Sequence, residues 1–170
     1  MPAASPLVLS RRWSYAIAFA VCAGVIAYAL YLQYGLGLGP CPLCIFQRVV
    51  IIAMGLLFLV AAIHDPPDRG AMVYGALQII AGGIGIALAL RHLWIQAQPA
   101  GSVPACGMGL DYMLETFPLG DVIEKVLKGG GECAKVDSVL GLSIPMWTLL
   151  LFVGLIAWSL VVARRRDAVV

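Results

Sequence analysis

The sequence predicts an all-α integral membrane protein, a four-helix bundle with a long outer loop that carries short amphipathic helices. Hydrophobic residues occupy 62% of its 170 positions and charged residues only 12%, a composition too apolar for a soluble domain. Four apolar runs, each of about 20 residues, are long enough to cross a hydrocarbon core of ~30 Å. They lie at 13–32, 43–63, 71–90 and 144–163, and we expect them to form a single membrane domain over residues 1–170. The net charge of +2 is too small to indicate a nucleic-acid-binding protein.

The first run follows Arg11 and Arg12 and therefore begins like a secretory signal. It is longer than the apolar part of a signal peptide, and no small-residue cleavage pattern closes it near Gln33. We expect it to be retained as the first span. Cys22, half-way along this run, is expected to be a small buried hydrophobe and not a reactive thiol.

The second and third runs are separated by a polar turn at 64–70, which contains the helix-breaking residues Pro66 and Pro67. Glycines in the third run let neighbouring helices approach closely. These glycines are Gly75, Gly82, Gly83 and Gly85. The fourth run brings the number of crossings to four, so both termini lie on one side of the membrane.

Arginines cluster on the side of the termini and of the 64–70 turn, which indicates that this side is cytoplasmic. They are Arg11, Arg12, Arg69, Arg164, Arg165 and Arg166. The loops 33–42 and 91–143 then lie on the outer side. The cysteines of these loops and the cysteine at the start of the second run also lie on the outer side. Disulfides form in oxidising compartments such as a periplasm, so this position agrees with the orientation.

A Cys-x-x-Cys pair, Cys41 and Cys44, stands at the entrance of the second run. Pro42 suits the first turn of a helix, so Cys44 is expected in that turn, where the partial positive charge of the helix N-terminus favours a thiolate. Arg48 follows four residues later on the same face, and an arginine inside an apolar segment usually has a function. The simpler interpretation is a structural disulfide beside an arginine whose head group reaches water.

The long loop contains two amphipathic stretches. The first has apolar residues at helical spacing, Leu110, Met113, Leu114 and Phe117. The second begins with a capping signal at Asp121 and ends at the glycines 129–131. Its apolar face either lies in the membrane interface or packs on the bundle. This face consists of Val122, Ile123, Val126 and Leu127.

Cys106 and Cys133 flank these stretches and could close a disulfide across the loop. Glycines and a proline beside them indicate flexible surroundings, which favours a bridge that opens over a purely structural one. A zinc site built from the four outer cysteines is the other interpretation. The loop cysteines lack the second close pair of a zinc ribbon, so no metal site is expected.

Arg91 and His92 end the third run at the same depth as the cysteine pair. Electrons that enter a catalytic Cys41–Cys44 disulfide must leave again, yet the sequence has neither a haem-attachment motif nor a glycine-rich dinucleotide fingerprint. A quinone needs only an apolar crevice and polar groups at its carbonyl oxygens. Arg48 and either His92 or Arg91 are the candidates for those groups.

The stretch 40–48, Pro-Cys-Pro-Leu-Cys-Ile-Phe-Gln-Arg, resembles the DsbB family of disulfide bond formation proteins. The loop cysteines Cys106 and Cys133 and the stretch 141–147, Gly-Leu-Ser-Ile-Pro-Met-Trp, are similar to the same family. The resemblance covers nearly the whole chain in order. It implies an enzyme of the bacterial inner membrane that reoxidises a periplasmic DsbA-like thioredoxin-fold oxidase and passes the electrons to ubiquinone or menaquinone.

The resemblance also implies a role for each cysteine. Cys41 and Cys44 would face the quinone, with Cys44 as the thiolate that contacts it and Arg48 stabilising that charge. Cys106 would form the mixed disulfide with the soluble oxidase. Cys133 would then be released to attack the Cys41–Cys44 bridge.

At the end of the third span, the family has a polar residue near the quinone. Either Arg91 or His92 matches that position.

Two functions from other classes remain open at this point. A non-enzymatic membrane scaffold would use the cysteines for structural disulfides only. A metal-handling membrane protein would bind copper or zinc through thiols on the outer face. Arg48 argues against the second, because a cation beside thiolates weakens metal binding but stabilises a thiolate next to a quinone.

Replacement of Cys106 tests the exchange role that the resemblance implies. We expect Cys106→Ser to block disulfide exchange with the soluble oxidase while Cys41–Cys44 stays reducible by small thiols. Gel-shift analysis of trapped mixed disulfides measures the first, and thiol labelling after dithiothreitol treatment measures the second. Normal turnover of the soluble oxidase by this variant would contradict the assignment.

Overall fold

The chain forms a bundle of four long helices with a layer of short elements at one end, as seen in a computed structural model. The structure describes residues 10–99, 115–129, 131–134, 138–139 and 141–165. The long helices are α1 (Arg11–Gly35), α2 (Pro42–His64), α3 (Asp68–Gln96) and α6 (Ile144–Arg164). The short elements, called here the loop layer, are α4 (Leu119–Lys128), α5 (Gly131–Ala134) and the antiparallel strands β1 (Ser138–Val139) and β2 (Leu142–Ser143).

All four long helices have the length and apolar composition needed to cross a membrane, which confirms the predicted membrane four-helix bundle. Helices α1 and α3 extend beyond the apolar runs at 13–32 and 71–90, because polar residues at the ends of these runs continue the helical hydrogen bonding. With 29 residues, α3 is about 44 Å long and exceeds the thickness of a hydrocarbon core. Its last turns therefore support the loop layer.

In the bundle, α2 packs between α1 and α3, and α3 packs along α6. Cys22 is 2% exposed and lies in the core, which confirms that it is a small buried hydrophobe. The indole N–H of Trp158 on α6 donates to the carbonyl oxygen of Ser14 on α1 over 3.0 Å. The largest core side chains are Tyr15, Met54, Phe58 and Phe152.

Arg11 joins three segments at the end of the bundle that carries the first and last helix termini. Its side chain is buried and donates to the Pro66 carbonyl oxygen over 3.1 Å and to the Asp68 carboxylate over 2.7 Å. It also donates to the carbonyl oxygen of Arg165, just after α6. This one side chain therefore fixes the start of α1 to the turn between α2 and α3 and to the end of α6.

Three of the four glycines predicted to allow close helix packing face α6. A Cβ atom at Gly75 would lie 3.0 Å from Ala163 Cβ, one at Gly82 would lie 2.6 Å from Ile156 Cγ1, and one at Gly85 would lie 2.5 Å from Phe152 Cε1. A Cβ at Gly83 would meet no heavy atom of the described residues within 4 Å. The predicted close approach of helices therefore depends on the first three glycines, and Gly83 does not take part in it.

Helix α4 lies within the second predicted amphipathic stretch but starts earlier than the sequence indicated. The helix ends at Gly129, which has a φ of 80°, as the glycines predicted. Asp121 was expected to cap the N-terminus, but Pro118 precedes the helix and Asp121 lies in its first turn. The reason is that the Pro118 carbonyl oxygen already accepts the first helical hydrogen bonds, from the N–H groups of Asp121 and Val122 over 3.0 and 3.1 Å. The first stretch lies outside the described residues except for Phe117, which packs on the same cluster as α4.

The sequence left open whether the apolar face of α4 packs on the bundle or lies in the membrane interface. Part of this face packs on the bundle, and part of it is exposed. Val122 and Val126 are 1% and 3% exposed and pack with Leu43, Leu88 and Ile95 of the bundle. The other two apolar residues of this face, Ile123 and Leu127, are 47% and 41% exposed. One edge of the helix thus attaches the loop layer to α2 and α3, and the other edge remains open to the surroundings.

The α3–α6 contact makes a prediction about its glycines. We expect Gly85→Ala to lower the free energy of unfolding by about 1–3 kcal/mol, because the new methyl group must displace the buried ring of Phe152. Gly83→Ala is the matched control and should be neutral or slightly stabilising, since alanine favours the helix and has room there. Thermal unfolding of both variants in the same detergent checks this, and equal melting temperatures would contradict it.

Candidate functional site

The Cys-x-x-Cys pair forms the start of α2. Cys41 is the residue that precedes the helix, and its Sγ accepts a hydrogen bond from the backbone N–H of Cys44 over 3.3 Å. Pro42 occupies the first helical position, as predicted from its lack of an amide donor. The two Sγ atoms lie 2.9 Å apart, a contact between two thiols. Cys41 is buried, whereas Cys44 is half-buried.

His92 of α3 lies beside both sulfur atoms and is itself only 2% exposed. Its Nε2 atom is 3.7 Å from Cys41 Sγ, and its Nδ1 atom is 4.0 Å from Cys44 Sγ. A single imidazole therefore reaches both members of the pair. It can give a proton to either sulfur or take one from it, depending on which nitrogen carries the hydrogen.

Gln47 and Thr148 extend this polar contact across the bundle. The Gln47 side-chain amide is 3.4 Å from His92 Nδ1, and its oxygen accepts from the Thr148 hydroxyl over 2.7 Å. Thr148 Oγ1 also lies 2.9 Å from the carbonyl oxygen of Pro145. Gln47 is 1% exposed and therefore has no access to bulk water. These contacts give its amide the hydrogen-bond partners that water gives an exposed one.

The sequence reasoning did not identify Gln47 or Thr148 as functional. Gln47 gave a signal that could have been used, because a polar residue three positions after Cys44 in an apolar run lies on the same helix face. Thr148 gave no such signal, since a threonine inside a membrane helix often bonds only to its own backbone.

Cys133 of α5 joins the same group although it is distant in sequence. It is 1% exposed, and its sulfur, the Cys41 sulfur and a His92 nitrogen all lie within 4.8 Å of one another. Its predicted disulfide partner, Cys106, lies outside the described residues. The structure thus places one loop cysteine directly beside the cysteine pair.

These neighbours change the acidity of the Cys41 thiol. Its hydrogen bond with Cys133, its hydrogen bond with Cys44 and its burial together raise the pKa of Cys41 well above that of an ordinary thiol. Cys41 is therefore the protonated partner of the cluster at neutral pH.

Arg48 lies one helical turn after Cys44 on α2, and its guanidinium contacts α1. Among the described residues, its guanidinium donates to the Gln33 side-chain oxygen and, over 3.2 Å, to the Ala29 carbonyl oxygen. Both partners belong to α1. The long side chain extends toward α1 because that helix offers it two acceptors within the apolar layer, and a half-buried guanidinium needs such partners.

Arg91 and His92 are adjacent in sequence but have different surroundings. Arg91 donates to the Leu127 carbonyl oxygen over 2.7 Å and to that of Lys128 over 3.3 Å, at the C-terminus of α4. Its guanidinium also stacks 4.2 Å from the centre of the Trp94 ring. Arg91 thus anchors the loop layer, while His92 contacts the cysteines.

A cavity of about 540 Å³ opens beside Cys44 between α1, α2 and α6. The residues that line it include Cys41, Cys44, Gln47, Arg48, His92, Gln96 and Thr148, and Arg91 is not among them. Most of the remaining wall is apolar. It includes Val25, Ile26, Leu32, Ile51, Trp147 and Leu151.

A family model described as disulfide bond formation protein DsbB matches residues 11–162. The chain belongs to the DsbB family. The match covers all four long helices up to Val162 and confirms the resemblance that the sequence motifs indicated. The family and the four membrane helices together identify a membrane protein of disulfide bond formation.

Curated relatives agree with this assignment over nearly their full lengths. Disulfide bond formation protein B of Chromobacterium violaceum is 47% identical over 162 residues, which cover 94% of this chain and 98% of the relative. The protein of that name from Hahella chejuensis is 48% identical with the same coverage. The one from Saccharophagus degradans is 52% identical over 151 residues, 88% of this chain and 91% of the relative.

The raised pKa of Cys41 makes a prediction about its reactivity. In a Cys44→Ala variant, the alkylation rate of Cys41 should rise with pH to a midpoint above the ordinary thiol value of about 8.5, because only the thiolate reacts. Mass spectrometry of the labelled protein at a series of pH values measures this midpoint. Adding Cys133→Ser removes the strongest hydrogen bond and should lower the midpoint. A midpoint at or below the ordinary value in the single variant would disprove the effect.

Proposed function

We propose that this protein reoxidises a soluble DsbA-like dithiol oxidase and passes the two electrons to a membrane quinone, ubiquinone or menaquinone. The observation that carries the proposal is the position of the Cys41–Cys44 pair at the edge of an apolar cavity. A dithiol that exchanges only with soluble proteins does not need an apolar cavity. A lipid-soluble electron acceptor needs one in order to bind.

The cavity suits a quinone in size and chemistry. Its volume of about 540 Å³ lies within the range of about 300–1,000 Å³ that is usual for small-molecule sites. Its apolar wall would suit the ring, and the Arg48 guanidinium and the His92 imidazole, which both line the cavity, would be the donors to the two carbonyl oxygens. When bound there, the quinone would supply a two-electron acceptor that leaves as quinol with two protons.

The thiol chemistry begins at the loop cysteines. A thiolate of the reduced soluble oxidase attacks the Cys106–Cys133 disulfide at Cys106, and Cys133 leaves as a thiolate. The second thiol of the oxidase then resolves the mixed disulfide, so the oxidase leaves with a disulfide and Cys106 is released. The two electrons of the oxidase now reside on the loop cysteines.

Cys133 carries these electrons to the membrane pair. It lies beside Cys41 and not beside the cavity, so its attack falls on the Cys41 sulfur of the Cys41–Cys44 disulfide. Cys44 then leaves as a thiolate at the helix N-terminus, where backbone N–H groups and His92 face its charge. Both cysteines line the cavity, and Cys44 is the more exposed of the two.

The remaining steps restore the starting state. Cys106 attacks Cys133 in the Cys41–Cys133 bridge, which re-forms the loop disulfide and releases Cys41 as a thiol beside the Cys44 thiolate. Oxidation of this reduced pair back to the Cys41–Cys44 disulfide gives up two electrons and the thiol protons, which a quinone held in the cavity would accept. The sum is one dithiol oxidised to one disulfide and one quinone reduced to one quinol.

The scaffold alternative is less well supported by this arrangement. A structural disulfide gains nothing from a buried imidazole within 4.0 Å of both its sulfurs. The arginines at the helix ends support the same orientation as the sequence did, with the termini in the cytoplasm of a bacterium and the cysteines on the periplasmic side of the inner membrane.

A quinone-reduction assay on the purified full-length protein tests the proposal. Reduced thioredoxin-fold oxidase is the electron donor, and quinone absorbance is followed against a Cys44→Ser control. We expect turnover that disappears in the control. Absence of turnover with several quinones and donors, in protein shown to be folded by its melting curve, would favour the scaffold or metal-handling alternative.

The same quinone-reduction assay tests whether Arg48 contributes to quinone binding. Arg48→Ala should raise the apparent KM for quinone at least several-fold while the melting temperature changes little, because the cavity loses its cationic donor. Arg69→Ala, an exposed arginine near the start of α3 and far from the cavity, serves as the charge-matched control. An unchanged KM in Arg48→Ala would exclude this role.

A further inference from the structure

The reduced cysteine cluster has the donor types and the geometry of a soft-metal site. Cys41 Sγ, a nitrogen of His92 and Cys133 Sγ lie within 4.8 Å of one another. Tetrahedral zinc has bonds of about 2.3 Å to sulfur and about 2.0 Å to nitrogen, which places its donor atoms about 3.6–3.8 Å from one another. The distance of 3.7 Å between Cys41 Sγ and His92 Nε2 already meets that requirement.

The three donors are held in place by the fold. Cys41, His92 and Cys133 are 6%, 2% and 1% exposed. They belong to three different elements, the start of α2, the end of α3 and α5, which pack together through Leu43, Ile95 and their neighbours. Assembling the donors therefore requires no large movement, which distinguishes this cluster from cysteines scattered over a surface.

Cys44 is available as the fourth ligand. Its sulfur lies 2.9 Å from that of Cys41, so a side-chain rotation that separates the two by about 1 Å would complete a tetrahedron. Cys-x-x-Cys is itself a common spacing for two zinc ligands, because both sulfurs at a helix start can reach one ion.

Gln47 can hold His92 in the orientation that metal binding requires. A ligating histidine usually donates its second ring N–H to a neighbouring acceptor. With its amide oxygen turned toward His92, Gln47 accepts from Nδ1–H and leaves the Nε2 lone pair directed at the cluster. Both Gln47 contacts survive this exchange, because the amide nitrogen then donates to Thr148 Oγ1, whose own hydrogen goes to the Pro145 carbonyl oxygen.

We propose that the reduced protein binds one thiophilic divalent cation, such as Zn²⁺, through Cys41, Cys44, Cys133 and His92, and that the bound ion stops the thiol relay. Coordination displaces the remaining thiol protons to solvent and changes no oxidation state. A sulfur engaged in a disulfide is not a thiolate ligand, so the oxidised protein does not form this site. The ion and the oxidising reaction thus compete for the same sulfur atoms.

The spacing of the cysteines predicted no metal site, because a zinc ribbon has two close cysteine pairs. Only one such pair exists among the outer cysteines, and the other two ligands come from α3 and α5. Their approach is a property of the folded chain, which spacing rules cannot detect.

Cd²⁺ titration of the full-length protein, reduced under anaerobic conditions, tests the binding directly. Thiolate-to-cadmium charge-transfer absorption should saturate at one ion per chain. The affinity should fall at least about tenfold in His92→Asn and in Cys133→Ser, each of which removes a ligand. Cys22→Ser, which removes a core thiol, and Cys106→Ser should both retain the wild-type affinity.

Metal binding does not depend on the proposed function, and only the expected inhibition of quinone reduction rests on it. The outcomes of the experiment therefore test the two separately. Absorption that persists in Cys133→Ser, or that is lost in Cys106→Ser, would overturn the site, as would a lack of binding by folded protein. One Zn²⁺ per chain should also halt quinone reduction, and a chelator should restore it. Quinone turnover without cadmium binding rejects the metal site alone, whereas cadmium binding without turnover rejects the proposed function alone.

Discussion

The start of α2 is the constraint on which the site depends. Proline at the first helical position and the Cys41 sulfur bonded to the Cys44 amide fix where the helix begins, and therefore fix the direction of both sulfurs. A start one residue later would rotate Cys44 by about 100° about the helix axis and turn it away from His92. Because α2 packs between α1 and α3, the same start also places the pair between the cavity on one side and the loop layer on the other.

Polar groups within this apolar bundle are arranged as a hydrogen-bonded chain and a separate arginine contact. Thr148, Gln47 and His92 connect three helices and give each other the partners that buried polar groups need. Arg48 bonds to α1 and lies in the cavity wall. The sulfurs and the guanidinium are thus neighbours of the same cavity without being bonded to each other.

Sequence patterns predicted the features that depend on local chemistry. Apolar run length gave the four helices, Pro42 gave the start of α2, and the glycines after residue 128 gave the end of α4. Contacts between distant segments were not predictable. The direction of Arg48 depends on acceptors in α1, and the position of Cys133 depends on how α4 packs. Arg91 and His92 could not be separated by sequence, because adjacent helical residues point about 100° apart and only the packing shows which direction meets the cysteines.

The two ends of the α1–α6 pair are built differently. Near the helix termini, Arg11 and Trp158 hold α1 and α6 together through backbone carbonyl oxygens. At the cysteine end, residues 25–32 of α1 and 144–151 of α6 form opposite walls of the cavity. The two helices are therefore held together at one end and separated by the cavity at the other. Because the cavity lies at the cysteine end of the bundle, a molecule dissolved in the membrane would reach it only in the half of the bilayer that surrounds this end.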